Sequence, residues 1–131
     1  MGEKPRCRVL IVEDEAMIAM LVEDMVLDFG SEVVGPVANM NDAINLARSA
    51  ELDAAILDIN VSGSVIFPVA DILTERGIPL IFATGYGSRG LPPRFQNSPT
   101  LPKPFSYQSL EEALRTALAG QPCHTETVQG R

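Results

Sequence analysis

Short apolar runs alternate with helical patterns along the whole chain, and this rhythm constrains the fold more than any other feature of the sequence. Runs that are apolar on both faces, such as Val-Leu-Ile-Val at 9–12, suit central strands of a parallel sheet that is covered by helices. Strand and helix patterns alternate five times. The sequence therefore predicts right-handed βαβ units and an open α/β sheet with helices on both faces.

The element boundaries follow from this pattern. The predicted strands are 9–12, 32–37, 54–57, 79–83 and 101–102, and the predicted helices are 15–29, 39–49, 65–76 and 106–119. We expect the first helix to turn Leu21 and Val22 inward, and the last helix to turn Tyr107 and Leu110 inward. Segment 85–99 holds three glycines and three prolines, so a fourth helix before the last strand should be short or irregular.

Composition excludes several classes of protein. The chain has 131 residues, the size of one domain, and a net charge of −7 that disfavours nucleic acids and anionic membranes as partners. Neither a signal peptide nor a membrane span is visible, so a cytoplasmic protein is expected. Cys7 and Cys123 lie far apart in the sequence and are predicted to be reduced thiols. The one histidine, His124, makes histidine-ligated metals and Ser-His-Asp catalysis poor candidates.

Polar residues follow four of the five predicted strands. They are Glu13 and Asp14, then Asp58, Thr84 and Lys103. Alone, each has an ordinary structural explanation, such as a helix cap for Asp14 or a turn for Asp58. In an open parallel sheet, however, the carboxyl ends of the strands lie at one edge, where such folds place their functional site. We therefore expect these side chains to meet.

Three carboxylates held close together repel one another unless a cation compensates them. Oxygen ligands without a thiol or imidazole favour Mg²⁺ or Mn²⁺. Asp14 and Asp58 would bind the ion directly, Glu13 through a water, and Asn60 through its backbone carbonyl. A lysine and a hydroxyl beside such an ion suit phosphoryl transfer to a carboxylate nucleophile. Asp58 is the candidate nucleophile because it ends the strand predicted to be central.

The chain resembles the receiver domains of bacterial two-component response regulators over residues 6 to 119. The motifs that carry the resemblance are Val-Leu-Ile-Val-Glu-Asp-Glu at 9–15, Ile-Leu-Asp-Ile-Asn at 56–60 with Gly63, Thr84-Gly85, and Lys-Pro-Phe at 103–105. The resemblance implies a flavodoxin-like (βα)5 fold with strand order 2-1-3-4-5. It also implies that Asp58 accepts a phosphoryl group from a phosphohistidine on a sensor histidine kinase or a phosphotransfer protein. Mg²⁺ would lie at Glu13, Asp14, Asp58 and Asn60, and Thr84 and Lys103 would contact the phosphoryl group.

A narrower signature, Phe-Ala-Thr-Gly-Tyr-Gly at 82–87, is similar to that of stand-alone receivers. It implies a receiver domain at 6–120, followed by a flexible tail at 121–131 and no output domain. Typical receivers carry an aromatic switch residue three positions before the lysine, where this chain has Thr100. Our hypothesis is that Tyr86 and the segment after it report phosphorylation instead. The alternative is that Tyr86 only packs against the protein.

The leading function is a signalling phosphoacceptor, not an enzyme, that alters the binding of a downstream protein. It could also act as a phosphate sink for a shared kinase. A Mg²⁺-dependent hydrolase with an aspartyl-phosphate intermediate is a further alternative. Asn60 speaks against the hydrolase, because it stands where Asp-x-Asp hydrolases of the haloacid-dehalogenase type carry a second carboxylate. An unphosphorylated scaffold is the last alternative, although every position of the acidic site is present.

Overall fold

A computed structural model describes residues 6–85, 90–121 and 123. The strands are β1 (Arg8–Val12), β2 (Glu32–Val37), β3 (Ala54–Asp58), β4 (Asn60–Val61), β5 (Ser64–Val65), β6 (Leu80–Thr84) and β7 (Thr100–Pro102). Five of them form a parallel central sheet in the order β2-β1-β3-β6-β7, and β4 and β5 form a hairpin that follows β3. In terms of the five predicted strands, this order is 2-1-3-4-5, and the flavodoxin-like fold is confirmed.

Four helices cover the two faces of the sheet. They are α1 (Ala16–Asp28), α2 (Met40–Ser49), α3 (Phe67–Glu75) and α4 (Tyr107–Leu118). The side chains of Asn39 and Ser106 accept backbone N–H bonds at the starts of α2 and α4, as caps should. Between β6 and β7, the described residues include a 3₁₀ turn at Pro93–Phe95 and no α-helix. The expected irregular fourth helix is therefore confirmed for the described part of that segment.

Alternate residues of the central strands belong to two separate cores. Leu10, Leu57 and Phe82 pack towards α2 and α3, whereas Ile11 and Ile81 pack towards α1 and α4. Successive side chains of a strand point to opposite faces, so a strand covered on both faces must be apolar at every position. This geometry explains the unbroken apolar runs in the sequence.

The region after β3 differs from the prediction. A helix was expected over 65–76, but Val65 pairs with Asn60 in the β4–β5 hairpin, and α3 begins at Phe67. The hairpin turns at Ser62 and Gly63, both of which have positive φ angles of 50° and 83°. Pro68 remains in the first turn of α3, where its missing N–H costs nothing. The predicted helix therefore began two residues before the observed one, because the apolar spacing continues through Val65 and Ile66.

Two side chains that were expected in the core lie at the surface. Leu21 on α1 is 48% exposed, and Tyr107 at the start of α4 is 40% exposed. Ala19 and Val26 are buried on α1 beside Val22. The stripe that faces the sheet is thus rotated by about one position relative to the prediction, because small alanines contribute to it and carry little weight in a hydrophobic pattern.

The prediction of two reduced thiols was wrong. Cys7 and Cys123 form a disulfide with their Cα atoms 5.0 Å apart, although 116 positions separate them in sequence. The chain after α4 returns to the start of β1, and sequence spacing does not reveal this approach. Cys123 belongs to the predicted flexible tail, whose residues 122 and 124–131 lie outside the described part. A division of the chain at residue 120 stays a prediction.

Among the described residues, no helix is both long and apolar enough to cross a membrane.

Candidate phosphoacceptor site

Four parallel strands have their carboxyl ends on the same side of the sheet, and a polar residue lies at or just after the end of each. Glu13 and Asp14 follow β1, Asp58 ends β3, and Thr84 ends β6. Lys103 follows the edge strand β7. The parallel register holds these ends level: Val12 lies beside Leu57 across β1 and β3, and Asp58 lies beside Ala83 across β3 and β6. The sheet therefore brings the predicted residues to one edge.

The three carboxylates form a cluster at this edge. Glu13, Asp14 and Asp58 each offer an oxygen, and these oxygens lie within 4.8 Å of one another. Their accessibility is graded. The Glu13 side chain is 5% exposed, that of Asp58 is 14% exposed, and Asp14 is open to solvent. A ligand that arrives from solvent therefore meets Asp14 first and Glu13 last.

Lys103 partly neutralises the cluster. Its Nζ lies 3.2 Å from Glu13 Oε1 and 3.3 Å from Asp58 Oδ2. Its backbone N–H donates to the carbonyl oxygen of Thr84 at 2.9 Å. The main chain of Lys103 is thus attached to the end of β6, while its ammonium group bridges the two more buried carboxylates.

The pKa values of two of these groups depart from their ordinary values. Burial raises the pKa of Glu13, and the nearby Asp58 raises it further. The backbone N–H of Glu15 and the ammonium of Lys103 act in the opposite direction, because both stabilise the ionised carboxylate. Burial by itself would lower the pKa of Lys103, but the carboxylates of Asp58 and Glu13 outweigh it, and the net pKa is raised. Lys103 is therefore cationic at neutral pH.

The β4–β5 hairpin positions Asp14. The backbone N–H of Ser62 donates to Asp14 Oδ2 at 2.8 Å, and the Ser62 hydroxyl donates to the carbonyl of Ala38. Sequence reasoning missed Ser62, because its contribution is a backbone group whose direction depends on a left-handed turn. Asn60, the predicted carbonyl ligand, lies two residues after Asp58 at the start of this hairpin.

Of the remaining predicted residues, Thr84 and Thr100 are described and Tyr86 is not. Thr84 is 3% exposed at the end of β6. Thr100, which stands where receivers usually carry an aromatic residue, lies in β7 beside Phe82. Tyr86, the proposed reporter, lies outside the described residues.

The donor set is suited to a hard divalent cation. All three side-chain groups are carboxylates, and the two remaining neighbours, Ser62 and Lys103, donate hydrogen bonds to carboxylates. Mg²⁺ takes oxygen ligands and usually retains several waters, so one or two carboxylates suffice to hold it. The residues present fit the ion, and Asp14 lies on the solvent-exposed side of the cluster.

Sequence comparison relates the chain to regulatory proteins. No model of a known protein family matches it. The transcriptional regulatory protein PdtaR of Mycobacterium tuberculosis is 32% identical over 116 residues, which are 86% of this chain. The chain spans 57% of the length of PdtaR, so the likeness concerns one part of that protein.

Solved structures match the chain over nearly their full length. SdrG of Sphingomonas melonis is 39% identical with a TM-score of 0.76, and the match covers 87% of this chain and 97% of SdrG. The receiver domain of the response regulator PhyR from Erythrobacter litoralis is 29% identical, with a TM-score of 0.79 and coverage of 92% and 96%.

The chain belongs to the response regulator receiver domains. The cluster around Asp58 is therefore the candidate phosphoacceptor site of a receiver. The finer signature at 82–87 stays a prediction, since two of its residues, Tyr86 and Gly87, lie outside the described part of the chain.

A more distant solved structure shares the fold of this chain. The receiver domain of a Pseudomonas aeruginosa sensor histidine kinase was solved with a magnesium ion coordinated in its active-site cleft. It is 20% identical to this receiver, with a TM-score of 0.74 and coverage of 88% and 99%, so the likeness concerns the fold.

Proposed function

We propose that this receiver is a phosphorelay signalling module in which Asp58 accepts a phosphoryl group from a phosphohistidine of a sensor histidine kinase or phosphotransfer protein. The observation that carries the proposal is the bridge that Lys103 makes between Asp58 and Glu13, within a cluster of three carboxylates at the carboxyl edge of the sheet. Proteins keep such a cluster when a cation and an incoming phosphoryl group balance its charge.

Asp58 is the proposed nucleophile. An ionised Asp58 oxygen attacks phosphorus, the P–N bond of the phosphohistidine breaks, and its electron pair stays on the imidazole. The product is an acyl phosphate on Asp58. Asp14 and Asp58 would hold Mg²⁺ directly, Glu13 through a water, and Asn60 through its carbonyl. When bound, the ion neutralises charge on the phosphoryl oxygens.

Lys103 and Thr84 are proposed to recognise the phosphoryl group. In the free protein, Lys103 is paired with two carboxylates. A dianionic phosphoryl group on Asp58 competes for this ammonium, because charge-assisted bonds to phosphate are strong. The backbone bond between Lys103 and Thr84 then connects any movement of Lys103 to the end of β6.

The proposed output is a change in partner binding. Phosphorylation would shift a pre-existing equilibrium between two conformations and so alter affinity for a downstream protein. The segment after β6 suits this role, since the aromatic ring of Phe95 in the 3₁₀ turn stacks on Phe67 and contacts Phe82. Tyr86 precedes this turn and remains the proposed reporter. Under this proposal the protein is cytoplasmic and catalyses only its own phosphorylation and dephosphorylation.

Acetyl phosphate tests the proposal without requiring the cognate kinase. Incubation of the full chain with Mg²⁺ and acetyl phosphate should add one phosphoryl group, detected by intact mass, and peptide mapping should place it on Asp58. Asp58→Asn should abolish the adduct, whereas Asp24→Asn, at an exposed position on α1, should retain it. An adduct that persists in Asp58→Asn would reject the assignment.

The reporting segment has a separate test. Beryllofluoride mimics an acyl phosphate, and SdrG has been solved in a BeF3-activated conformation. Hydrogen exchange of residues 85–99 should change when beryllofluoride and Mg²⁺ are added to the wild type and should not change in Asp58→Asn. Unchanged exchange in the wild type would reject this segment as the reporter.

A further inference from the structure

The turn of the β4–β5 hairpin contains an unusual backbone conformation. Ser62, with a φ of 50°, is the one residue other than glycine that has a positive φ in the described part of the chain, and Gly63 beside it has a φ of 83°. Positive φ at both central residues of a two-residue loop is the mark of a type I′ turn, whose first position is usually asparagine, aspartate or glycine. A serine at this position is strained, because its Cβ crowds the backbone.

Ser62 makes two hydrogen bonds to distant parts of the chain. Its backbone N–H donates to Asp14 Oδ2 at 2.8 Å, across 48 positions of sequence. Its hydroxyl donates to the carbonyl oxygen of Ala38 at 2.8 Å, across 24 positions. A glycine at this position would retain the backbone N–H, would adopt a positive φ without strain and would lose the hydroxyl. The hydroxyl bond is therefore what the strained serine adds to the turn.

The carbonyl that accepts this hydroxyl belongs to a well-supported segment. Ala38 precedes Asn39, whose side chain caps α2 by accepting the backbone N–H of Asp42 at 2.9 Å. On the other side of Ala38, the carbonyl oxygen of Val37 accepts the backbone N–H of Glu13 at 3.0 Å. The short segment between β2 and α2 therefore contacts both the hairpin and the first residue of the acidic cluster.

The base of the hairpin is held by burial and its tip is not. The side chain of Val61 is buried in the core that lies towards α2 and α3. The backbone N–H of Ile66 donates to the carbonyl oxygen of Ile59 at 2.8 Å, which closes the base. Ser62 and Gly63, at the tip, are exposed to solvent. The hydroxyl bond to Ala38 therefore acts on the part of the hairpin that burial does not hold.

We infer that Ser62 is a positioning residue for the metal site: its hydroxyl fixes the hairpin tip on Ala38, and its N–H restrains the exposed Asp14 carboxylate and so raises the affinity for Mg²⁺. The inference rests on the metal site of the proposed function, to which it adds a residue that is not a ligand. An exposed side chain that is already restrained loses less conformational freedom when the ion binds. Hydrogen bonds to a ligating carboxylate also orient it.

A competing explanation is that the Ser62 N–H occupies the Asp14 carboxylate and excludes the ion. An ionised carboxylate has two oxygens and about four acceptor positions. The bond from Ser62 to Oδ2 uses one of these positions, so the carboxylate can still accept a metal ion. The competing explanation predicts that loss of the Ser62 hydroxyl strengthens Mg²⁺ binding, which is the opposite of our expectation.

A titration of the full chain with Mg²⁺, followed by ¹H–¹⁵N NMR spectra, measures the dissociation constant of the ion even when binding is weak. Ser62→Ala removes the hydroxyl and should raise this constant by about two- to ten-fold, as the loss of one hydrogen bond would. Ser64→Ala, at an exposed serine of the same hairpin, is the matched control and should leave the dissociation constant unchanged.

Ser62→Gly separates positioning from stability. Glycine relieves the strain at this φ and also lacks the hydroxyl. Ser62→Gly should therefore raise the dissociation constant of Mg²⁺ at least as much as Ser62→Ala does. Its urea midpoint in EDTA should nevertheless be no lower than that of Ser62→Ala. A merely structural role would change affinity and stability in the same direction.

The possible outcomes distinguish the inference from the proposed function. A wild type that binds no Mg²⁺, or that binds it no more tightly than Asp14→Ala does, would overturn the metal site and the inference with it. Binding that Asp14→Ala weakens but Ser62→Ala leaves unchanged or strengthens would overturn the inference alone. An equal loss of affinity in Ser64→Ala would also overturn it, because the effect would then belong to the hairpin as a whole.

Discussion

Replacing Lys103 by methionine tests the electrostatics of the acidic site. Methionine retains the length of the side chain and removes the ammonium that contacts Glu13 at 3.2 Å and Asp58 at 3.3 Å. Glu13, Asp14 and Asp58 then face one another without a compensating charge. We therefore expect the metal-free protein to lose stability and the response to Mg²⁺ to grow.

The expected loss follows from the two contacts. A hydrogen bond to a charged group contributes about 1.5 to 3 kcal/mol when it is well buried. The Lys103 side chain is 22% exposed, and its own desolvation offsets part of the gain. A net loss of about 2 to 3 kcal/mol in the free energy of unfolding is therefore expected, larger than that for an exposed ion pair.

Mg²⁺ should recover much of this loss. A ligand that binds only the folded state stabilises it by about 2.7 kcal/mol at one hundred times its dissociation constant. Without the ammonium, the site is more negative and binds the cation more tightly. The variant should therefore gain more stability from Mg²⁺ than the wild type does, by about 1 kcal/mol or more at equal ion concentration.

Urea denaturation followed by circular dichroism, once in EDTA and once in millimolar Mg²⁺, measures both effects. Arg115→Met is the control, because its ion pair with Glu111 on α4 is exposed and should contribute less than about 1 kcal/mol, with no dependence on Mg²⁺. A Lys103→Met protein as stable as wild type in EDTA, or one with an unchanged Mg²⁺ response, would refute the reasoning.

Four further predictions follow from single positions. Asp14→Asn should reduce the rise in melting temperature that Mg²⁺ causes, as measured by thermal shift. Phe95→Ala, at a position 3% exposed, should lower the free energy of unfolding by about 3 to 5 kcal/mol in urea. Gly35→Ala should destabilise by about 1 to 3 kcal/mol, because φ is +97° and a Cβ would lie 2.9 Å from the Val37 nitrogen. Burial raises the pKa of Glu13 in the metal-free fold, so folding favours the protonated acid. The stability of wild type relative to Glu13→Gln should therefore be greatest below pH 4.5 and should fall as the pH rises through the folded-state pKa; a rising difference would contradict this sign.

The sequence indicated the layers of the fold because burial on two faces leaves a strong local trace. Strands such as β1 and β3 are apolar at nearly every position, and caps such as Asn39 mark where helices begin. The face that a helix turns inward was less certain. Leu21 fits a helical stripe as well as Ala19 does, and only packing against the sheet decides between them.

The predicted strand ends were enough to place Glu13, Asp14, Asp58 and Lys103 close together, because the carboxyl ends of parallel strands lie on the same side of a sheet. Three details required the tertiary structure: the hairpin that aims the Ser62 N–H at Asp14, the bridge from Lys103 to two carboxylates at once, and the disulfide. Each joins residues that are far apart in the chain. The local sequence determines which faces of the helices and strands are buried. Contacts between residues far apart in the chain depend on how the helices pack on the sheet.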